Sequence, residues 1–307
     1  MISNLDPASE LFLANVNRIQ QRLADASRQV SSGKKIAQPS DAPDQIDALL
    51  QLRADRQRNA QIRSNLGVAL TDAQSSDGAL TSAIRLMDRA GVLAAQGANS
   101  VMDTNGRRSL ASEVDSLLEQ MIACSRTSVQ GRYIFSGDRD DSPAYQADST
   151  SATGVAPLIS AAATRRIEDP AGGSFAASMT AQEIFDTRNP LDGSAAPDNV
   201  FAALSGLRAA LLNDDASAVA QAASSVKAAS TRLNSAQAFY GTVQNRIDAA
   251  TAFADRYEID LRTQLGQKED ADVVSSALEL SQGNTQLQAA FQMRASLPHR
   301  TLFEFIG

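Results

Sequence analysis

The chain has 307 residues, a formal net charge of −7 and a pI near 4.9, which argues against a nucleic-acid partner because phosphate binding needs a basic face. Aromatic residues make up 5% of the chain, Trp is absent and there is one Cys, so neither a thick aromatic core nor a disulfide framework is expected. It has no run of 18 apolar residues and no signal-peptide pattern at its start, which predicts no membrane insertion and, by that rule alone, a cytoplasmic protein.

An apolar residue at every third or fourth position marks the first predicted helix. Its stripe consists of Phe12, Val16, Ile19, Leu23, Ala26 and Val30. This spacing is typical of a coiled-coil seam, because it keeps one narrow stripe facing a partner helix. Gly33 is placed to end the helix, and Lys34 and Lys35 are favourable near the negative end of its dipole.

The sequence Pro-Ser-Asp-Ala-Pro then restarts the helical pattern. Ser40 or Asp41 is a candidate N-cap, and Pro43 fits a first helical turn. No proline follows up to position 142, and an interior proline costs a helix about 3 kcal/mol. We therefore predict a continuous helix over 44–100.

Two further heptad stripes lie in this proline-free stretch. The first consists of Leu66, Leu70, Ala73, Asp77, Leu80, Ile84 and Met87, and the second of Leu110, Val114, Leu117, Met121 and Cys124. Between them, Thr104-Asn105-Gly106 has the composition of a turn. We expect both stripes to pack within one subunit.

The middle of the chain has a different composition. Five of the nine prolines lie here, among many Ser, Thr, Ala and Gly residues: Pro143, Pro157, Pro170, Pro190 and Pro197. The apolar pieces are short, such as Val155 to Ile159. The composition predicts a small β-rich or irregular module over 138–197.

Helical periodicity returns in the last third of the chain. One stripe consists of Val243, Ile247, Ala250, Ala254, Tyr257 and Leu261, and the final stripe of Val273, Ala277, Leu280, Asn284, Leu287 and Phe291. We predict that Leu265-Gly266 breaks the long helix between them. Glu269-Asp270-Ala271-Asp272 offers acidic N-caps for the last helix.

These patterns predict a mainly α fold: a long antiparallel helical rod, built as a coiled coil from both chain halves, with a small central β-rich domain. We expect terminal assembly helices over 1–40 and 265–307. The helical rod is expected over 41–137 and 198–264, and the central variable domain over 138–197.

The residues that usually carry enzyme chemistry are scarce. His299 is the one histidine of the chain, which removes most histidine-dependent triads and HExxH zinc sites. Cys124 lies on a heptad stripe, where a small apolar role outweighs a nucleophilic one. The acidic run 138–141 lacks the glycine and closing glutamate of a calcium loop. We therefore expect no catalytic, cofactor or metal site, and a protein that is not an enzyme.

Several segments resemble the flagellin superfamily. Val30-Ser31-Ser32-Gly33-Lys34-Lys35-Ile36, followed by Pro39-Ser40-Asp41-Ala42-Pro43, resembles its motif S-S-G-K-R-I-x-x-P-S-D-D-P. Gly131-Arg132-Tyr133-Ile134-Phe135-Ser136-Gly137, Glu269-Asp270-Ala271-Asp272 and the tail Leu302-Phe303-Glu304-Phe305-Ile306 are similar to segments of its hook-associated members. Two positions depart from the motif, Lys35 in place of Arg and Ala42 in place of Asp, and an Arg can bind a carboxylate bidentately where a Lys cannot.

The resemblance implies a structural subunit of the bacterial flagellum that joins hook to filament. Such relatives leave the cell by type III export without a cleaved signal, which overturns the cytoplasmic interpretation. The implied partners are copies of the chain itself, flagellin, another hook-associated protein and a flagellar export chaperone. The terminal helices would order only against neighbouring subunits, because ordering about 35 residues costs on the order of 35–70 kcal/mol in backbone entropy.

We predict that the subunit interface is formed by apolar seam residues of the two ends: Phe12, Val16, Ile19, Leu23, Val30, Val273, Leu280, Leu287 and Phe291. The family-motif loop consists of Gly33, Lys34, Lys35, Pro39, Ser40, Asp41 and Pro43. For each seam residue the other interpretation is an intramolecular core. Two other functions stay open: flagellin itself, the filament subunit, and a coiled-coil sensor or binding module that never leaves the cytoplasm.

Overall fold

The computed structural model describes residues 7–161 and 163–296, so the predictions for His299 and for the tail 302–306 lie outside the described residues. Within that part of the chain, 69% of residues are helical and the strands are few and short, which confirms the mainly α prediction. The chain divides into two compact units. We call Met1–Arg58 with Tyr257–Gly307 the terminal unit, and Asn59–Arg256 the inner unit.

Long helices from both ends of the chain flank a central group of short strands, and one short helix, α4 (Ala181–Phe185), lies within the segment 138–197 that was predicted to be β-rich or irregular. The helices are α1 Pro7–Ser32, α2 Ile46–Gly97, α3 Thr104–Ser125, α4 Ala181–Phe185, α5 Val200–Leu212, α6 Ala216–Glu269 and α7 Val273–Ser296, with a 3-10 turn at Pro39–Asp41. The strands are β1 Ser128–Val129, β2 Arg132–Tyr133, β3 Tyr145–Ala147, β4 Val155–Pro157, β5 Arg166–Glu168 and β6 Ser174–Ala176. They pair as three antiparallel hairpins, β1–β2, β3–β4 and β5–β6.

In the inner unit, α2 and α6 run antiparallel and bury the predicted heptad stripes. The Asn59 side-chain amide donates to the Ala254 carbonyl at 2.9 Å, and the Gln237 amide donates to the Thr81 hydroxyl at 2.9 Å. Buried stripe residues from α2, α3 and α6 include Leu66, Leu80, Met87, Val114, Met121, Val243 and Ile247. The prediction that these stripes pack within one subunit is confirmed, because they share one core.

Aromatic side chains close the inner-unit core beneath the hairpins. The ring of Phe135 contacts Phe185 edge-on with 5.7 Å between centroids, and Tyr240 in the same manner at 6.4 Å. Phe185 stacks on Phe201 at 5.9 Å. Phe135 is fully buried, so the resemblance motif around 131–137 supplies the central aromatic of this core.

A buried arginine closes one end of the inner unit. Arg107 donates through Nε to the Gly97 carbonyl and through NH2 to the Asn99 carbonyl, each at 3.0 Å. It also forms an ion pair with Asp214, which accepts a hydrogen bond from the Thr104 hydroxyl at 2.8 Å. Because the last carbonyls of a helix have no partner within it, Arg107 satisfies groups that α2 leaves open.

Three predicted local features are wrong. Thr104-Asn105-Gly106 is the first turn of α3 rather than a loop, because the Asp103 carboxylate accepts from the Gly106 N–H at 2.9 Å and caps the helix. α6 continues through Leu265-Gly266 to Glu269, since one helical glycine costs only about 1 kcal/mol. Pro43 lies before α2, which begins at Ile46.

The third hairpin ends in an exposed turn. Ile167 of β5 pairs with Phe175 of β6, and the turn between them carries Gly172 and Gly173, both with positive φ. Beneath it, the Arg246 guanidinium lies 4.2 Å from the Phe175 ring centroid. The base of the hairpin is therefore attached to α6, whereas the tip is open to solvent.

Candidate assembly interface

The terminal unit is built around an antiparallel pair of helices, α1 and α7. The Ser276 hydroxyl donates to the Gln29 side-chain oxygen at 2.9 Å near one end of the pair. Along the pair, Leu23 lies over Gly283, where an added Cβ would stand 2.7 Å from a Leu23 methyl. The glycine therefore permits a closer approach than any other residue would.

The far end of the pair is closed by aromatic and cationic side chains. The rings of Phe12 and Phe291 meet edge-on with 6.3 Å between centroids. The Arg294 guanidinium lies 5.6 Å from the Phe12 ring and donates to the Ser9 hydroxyl at 2.8 Å. The helices thus stay in contact over most of their described length.

The structure brings only part of the predicted interface into this seam. Val16 is buried, and five residues are half-buried, namely Phe12, Ile19, Leu23, Leu280 and Leu287. By contrast, Val30, Val273 and Phe291 are exposed. The predicted α7 stripe is therefore split between two faces. Its actual seam passes through Ser276 and Gly283, which are buried. Because neither side chain is large and apolar, apolar spacing does not identify them.

Large apolar side chains remain exposed on both helices of the pair. Val274 is 81% exposed and Leu278 is 58% exposed on α7. Leu11 and Leu13 on α1 and Met293 on α7 are exposed as well. A helix pair that has buried one stripe and leaves several large apolar side chains exposed is suited to packing against further helices.

The motif loop meets the segment before α7 in a short β-bridge, which we call the clasp (residues 33–36 and 269–271). Lys34 pairs with Asp270. The Lys35 N–H donates to the Glu269 carbonyl at 2.6 Å, and the Ala271 N–H donates to the Gly33 carbonyl at 2.9 Å. Gly33 has φ near +68°, a conformation that favours glycine and ends α1 as predicted.

Glu269 is the central side chain of the clasp. It is only 6% exposed, and its carboxylate accepts from Lys34 Nζ at 3.3 Å and from Arg53 Nε at 2.8 Å. Burying a carboxylate costs much free energy unless cations and donors surround it. The two cations therefore account for a charged residue at this buried position.

Apolar packing and an aspartate cap hold the loop beside the clasp. Ile36 is buried against Leu49 of α2 and Leu265 of α6, with Ala42 packed on this cluster. The backbone N–H groups of Gln38 and Ala37 donate to the Asp41 carboxylate at 2.8 and 2.9 Å. These bonds, that of Gln38 first, lower the pKa of Asp41 below its ordinary value.

Ala42 and the motif lysines acquire distinct roles in this geometry. Ala42 replaces an acidic residue of the motif and packs against an apolar cluster, where a carboxylate would be unfavourable. Lys34 holds Glu269, whereas Lys35 contributes its backbone N–H to the clasp. Pro39 is the first residue of the 3-10 turn, and Ser40 lies within it.

Sequence reasoning missed Glu269 and Arg53 as members of this site. Glu269 was interpreted as one of several caps for α7, but the Asp272 carboxylate performs that role by accepting from the Ser275 N–H at 3.0 Å. The available signal was charge complementarity, because the Lys-Lys pair of the motif needs an acidic partner. Spacing alone gave no way to choose among the acidic residues.

Residues 7–161 and 163–296 contain neither a membrane-spanning helix nor a metal-binding group of side chains. No described helix has the length and apolar character needed to cross a bilayer. Among the same residues, no group of histidine, cysteine and carboxylate side chains is arranged to hold a metal ion.

Comparison with known proteins gives consistent matches at both ends of the chain. The family model of the bacterial flagellin N-terminal helical region matches residues 2–140, and that of the bacterial flagellin C-terminal helical region matches residues 223–304. Together the two models cover more than two thirds of the chain.

Individual relatives agree with the family models. Flagellar hook-associated protein 3 of Escherichia coli (strain K12) is 23% identical over 292 residues, covering 90% of each chain. The crystal structure of FlgL from Xanthomonas campestris matches 71% of this chain and 99% of its own, with a TM-score of 0.57 and 18% identity. The flagellar junction protein FlgL from Legionella pneumophila matches 74% of this chain and 100% of its own, with a TM-score of 0.55 and 14% identity. The two structural similarities establish a shared fold.

Proposed function

This chain belongs to the flagellin family and is a structural protein of the bacterial flagellum, and we propose that within the flagellum it joins the hook to the filament. The observation that carries this proposal is the match over 90% of both chains to a hook-associated protein. A match to the flagellin family models alone also fits a filament subunit. The match to the hook-associated relative, which spans 90% of both chains, favours the junction.

The exposed apolar face of α7 is the surface that we assign to subunit assembly. Its residues Val274 and Leu278 are exposed in the single chain, and each apolar side chain that becomes buried would stabilise a contact by about 1–3 kcal/mol. The seam residues Ile19, Leu23, Leu280 and Leu287 would act differently, by holding the two helices together so that this face is presented.

The proposed partners are copies of the chain itself, flagellin on one side and another hook-associated protein on the other. Export through the flagellar type III channel, assisted by an export chaperone, belongs to the same proposal. In this view the terminal helices of 1–40 and 265–307 complete their packing only against neighbouring subunits. Residues 138–197, which lie between the helical segments, would serve as the variable domain.

Binding to isolated hook ends tests this function. Purified chain is mixed either with hooks that carry the preceding junction protein or with filament seeds, and the products are examined by sedimentation and negative-stain electron microscopy. A junction subunit binds hook ends as a short cap and does not extend. Long filaments grown from seeds would identify a filament subunit, and binding to neither would leave the cytoplasmic coiled-coil module.

Matched variants test the assigned surface. Val274→Ala with Leu278→Ala should weaken hook-end binding about tenfold or more, because two exposed contacts per subunit are lost. Val68→Ala with Val92→Ala removes two exposed residues of the inner unit and should leave binding unchanged. Equal losses for both pairs would show that the terminal face has no special role.

A further inference from the structure

The α1–α7 seam does not by itself specify how the two helices align. Its contact positions repeat every seven residues on both helices, and on α7 the buried ones are the small residues Ser276 and Gly283. A slide of one heptad would bring Ser276 under Leu23 in place of Gly283. It would also break the half-exposed Phe12–Phe291 contact, but half-buried Leu23 has room to move, so seam packing specifies the alignment weakly. A fixed point outside the repeat is needed.

The clasp lies where such a fixed point would act most strongly. Gly33 directly follows α1, and Ala271 lies two residues before α7 begins. The bridge between Lys34 and Asp270 therefore ties the end of one helix to the start of the other. With so few residues between clasp and helices, the alignment at this end determines which residues meet further along.

We propose that Glu269 is a positioning residue that sets the register of α1 against α7. One residue links three segments: its carboxylate binds Lys34 of the motif loop and Arg53 of α2, and its carbonyl accepts from Lys35. If α7 slides by a heptad, the bridge opens and a buried carboxylate loses the cation of the loop. The wrong register is thus penalised by an unpaired charge.

This role goes beyond the proposed function and does not depend on it. The terminal helices must pair in one register whether the chain serves at a junction or in a filament. Failure to bind hook ends would therefore not contradict the register inference. Likewise, a helix register that does not change with Glu269→Gln would not contradict the junction proposal.

Engineered disulfides in the full chain measure the register directly, in a Cys124→Ala background. The in-register pair is Leu23→Cys with Gly283→Cys. A Cβ on residue 283 would lie 3.0 Å from the Leu23 Cγ, which places the two Cβ atoms near the separation of about 3.5–4.5 Å that a disulfide needs. The out-of-register pair is Leu23→Cys with Ser276→Cys, one heptad or about 10 Å away along α7.

The quantity to compare is the ratio of the two disulfide formation rates under mild oxidation in dilute solution. We expect the in-register bond to form about tenfold faster or more in the parent chain, and the ratio to fall to about twofold or less with Glu269→Gln. Loosening of the helices alone would also bring the two rates together, but by slowing the in-register bond, whereas a slide of one heptad speeds the out-of-register bond. The control Glu258→Gln removes the same charge from the same helix, where Glu258 pairs with Arg56 and Arg262.

The inference is supported if Glu269→Gln collapses the ratio by speeding the out-of-register bond, while Glu258→Gln preserves the ratio. It is overturned if the ratio survives Glu269→Gln, if it falls only because the in-register bond slows, or if the parent chain shows no preference for the in-register pair. The thermal unfolding of the inner unit should be the same in all variants, because Glu269 contacts residues of the terminal unit.

Discussion

The inner and terminal units use one heptad spacing for two different purposes. In the inner unit the stripes of α2, α3 and α6 are buried in a shared core that includes Phe135 and Tyr240. In the terminal unit, α1 and α7 bury one seam and keep Val274 and Leu278 exposed on another face. The comparison shows that the periodic pattern identifies a helix that needs a partner, but does not say whether the partner lies in the same chain.

The number of neighbouring helices explains the difference. A helix of the inner unit has several neighbours, so apolar residues around its circumference find contacts. α1 and α7 have mainly each other, and two helices in contact cover only one stripe of each. The seam side of each terminal helix is therefore covered, whereas its other side is covered only when further helices pack against it.

A matched pair of phenylalanine truncations should give the largest contrast. Phe135→Ala should lower the free energy of unfolding by about 3–5 kcal/mol, because a fully buried ring leaves a cavity. Phe291→Ala should cost below about 1 kcal/mol, since half of that side chain is already in water. Urea denaturation of both variants measures the difference, and equal costs would mean that the two units are packed alike.

Two arginine substitutions should show the next largest effect. Arg107→Ala removes a buried group with three partners and should destabilise the inner unit by about 2–3 kcal/mol. Arg89→Ala breaks an exposed ion pair with Glu113 and should leave the urea midpoint unchanged, because surface pairs contribute little. A large effect at Arg89 would contradict this ranking.

Three glycine-to-alanine changes sharpen the comparison of packing density. Gly97→Ala would place a Cβ 2.4 Å from a Leu211 methyl and should destabilise the inner unit by about 1–3 kcal/mol. Gly91→Ala meets nothing within 4 Å and should stabilise α2 by about 0.5–1 kcal/mol. Gly283→Ala should cost less than Gly97→Ala, because half-buried Leu23 has room to move. Thermal unfolding ranks the three.

The smallest effect concerns pH at the motif loop. The pKa of Asp41 is lowered in the folded chain, so its contribution is present above the unfolded pKa and is lost as pH falls below about 4. The protection of the Ala37 and Gln38 amides against exchange, relative to their intrinsic rates at each pH, should fall over that range. Asp41→Asn should exchange faster at neutral pH and lose the acid step, while the amides of the inner-unit core serve as the internal reference.

The sequence predicts some elements of this structure better than others. The prediction of one helix over 44–100 agrees closely with α2 because proline-free, heptad-patterned sequence has few other structures to adopt. Of the predicted α7 seam, Leu280 and Leu287 are half-buried against α1. By contrast, Val273 and Phe291 are exposed, and the structure buries Ser276 and Gly283 instead. Two helices that approach closely need small residues at their contact. A pattern of large apolar side chains does not identify such residues.

The clasp lay beyond sequence reasoning for a different reason. Lys34 and Glu269 are more than two hundred residues apart in the chain, and several other carboxylates near the start of α7 had the same local signature. Only the fold selects among them. The short strands of the hairpins could not be predicted individually either, because two or three residues are too few to show the alternation typical of a strand.

The turn between β5 and β6 has a consequence for engineering. Gly172 and Gly173 lie at an exposed tip, while Phe175 and Asp169 attach the base through Arg246. A foreign peptide inserted between the two glycines would therefore lengthen the tip without displacing a buried side chain. Such an epitope would be displayed by every copy of the subunit, and antibody labelling would then report where in a flagellum the protein resides.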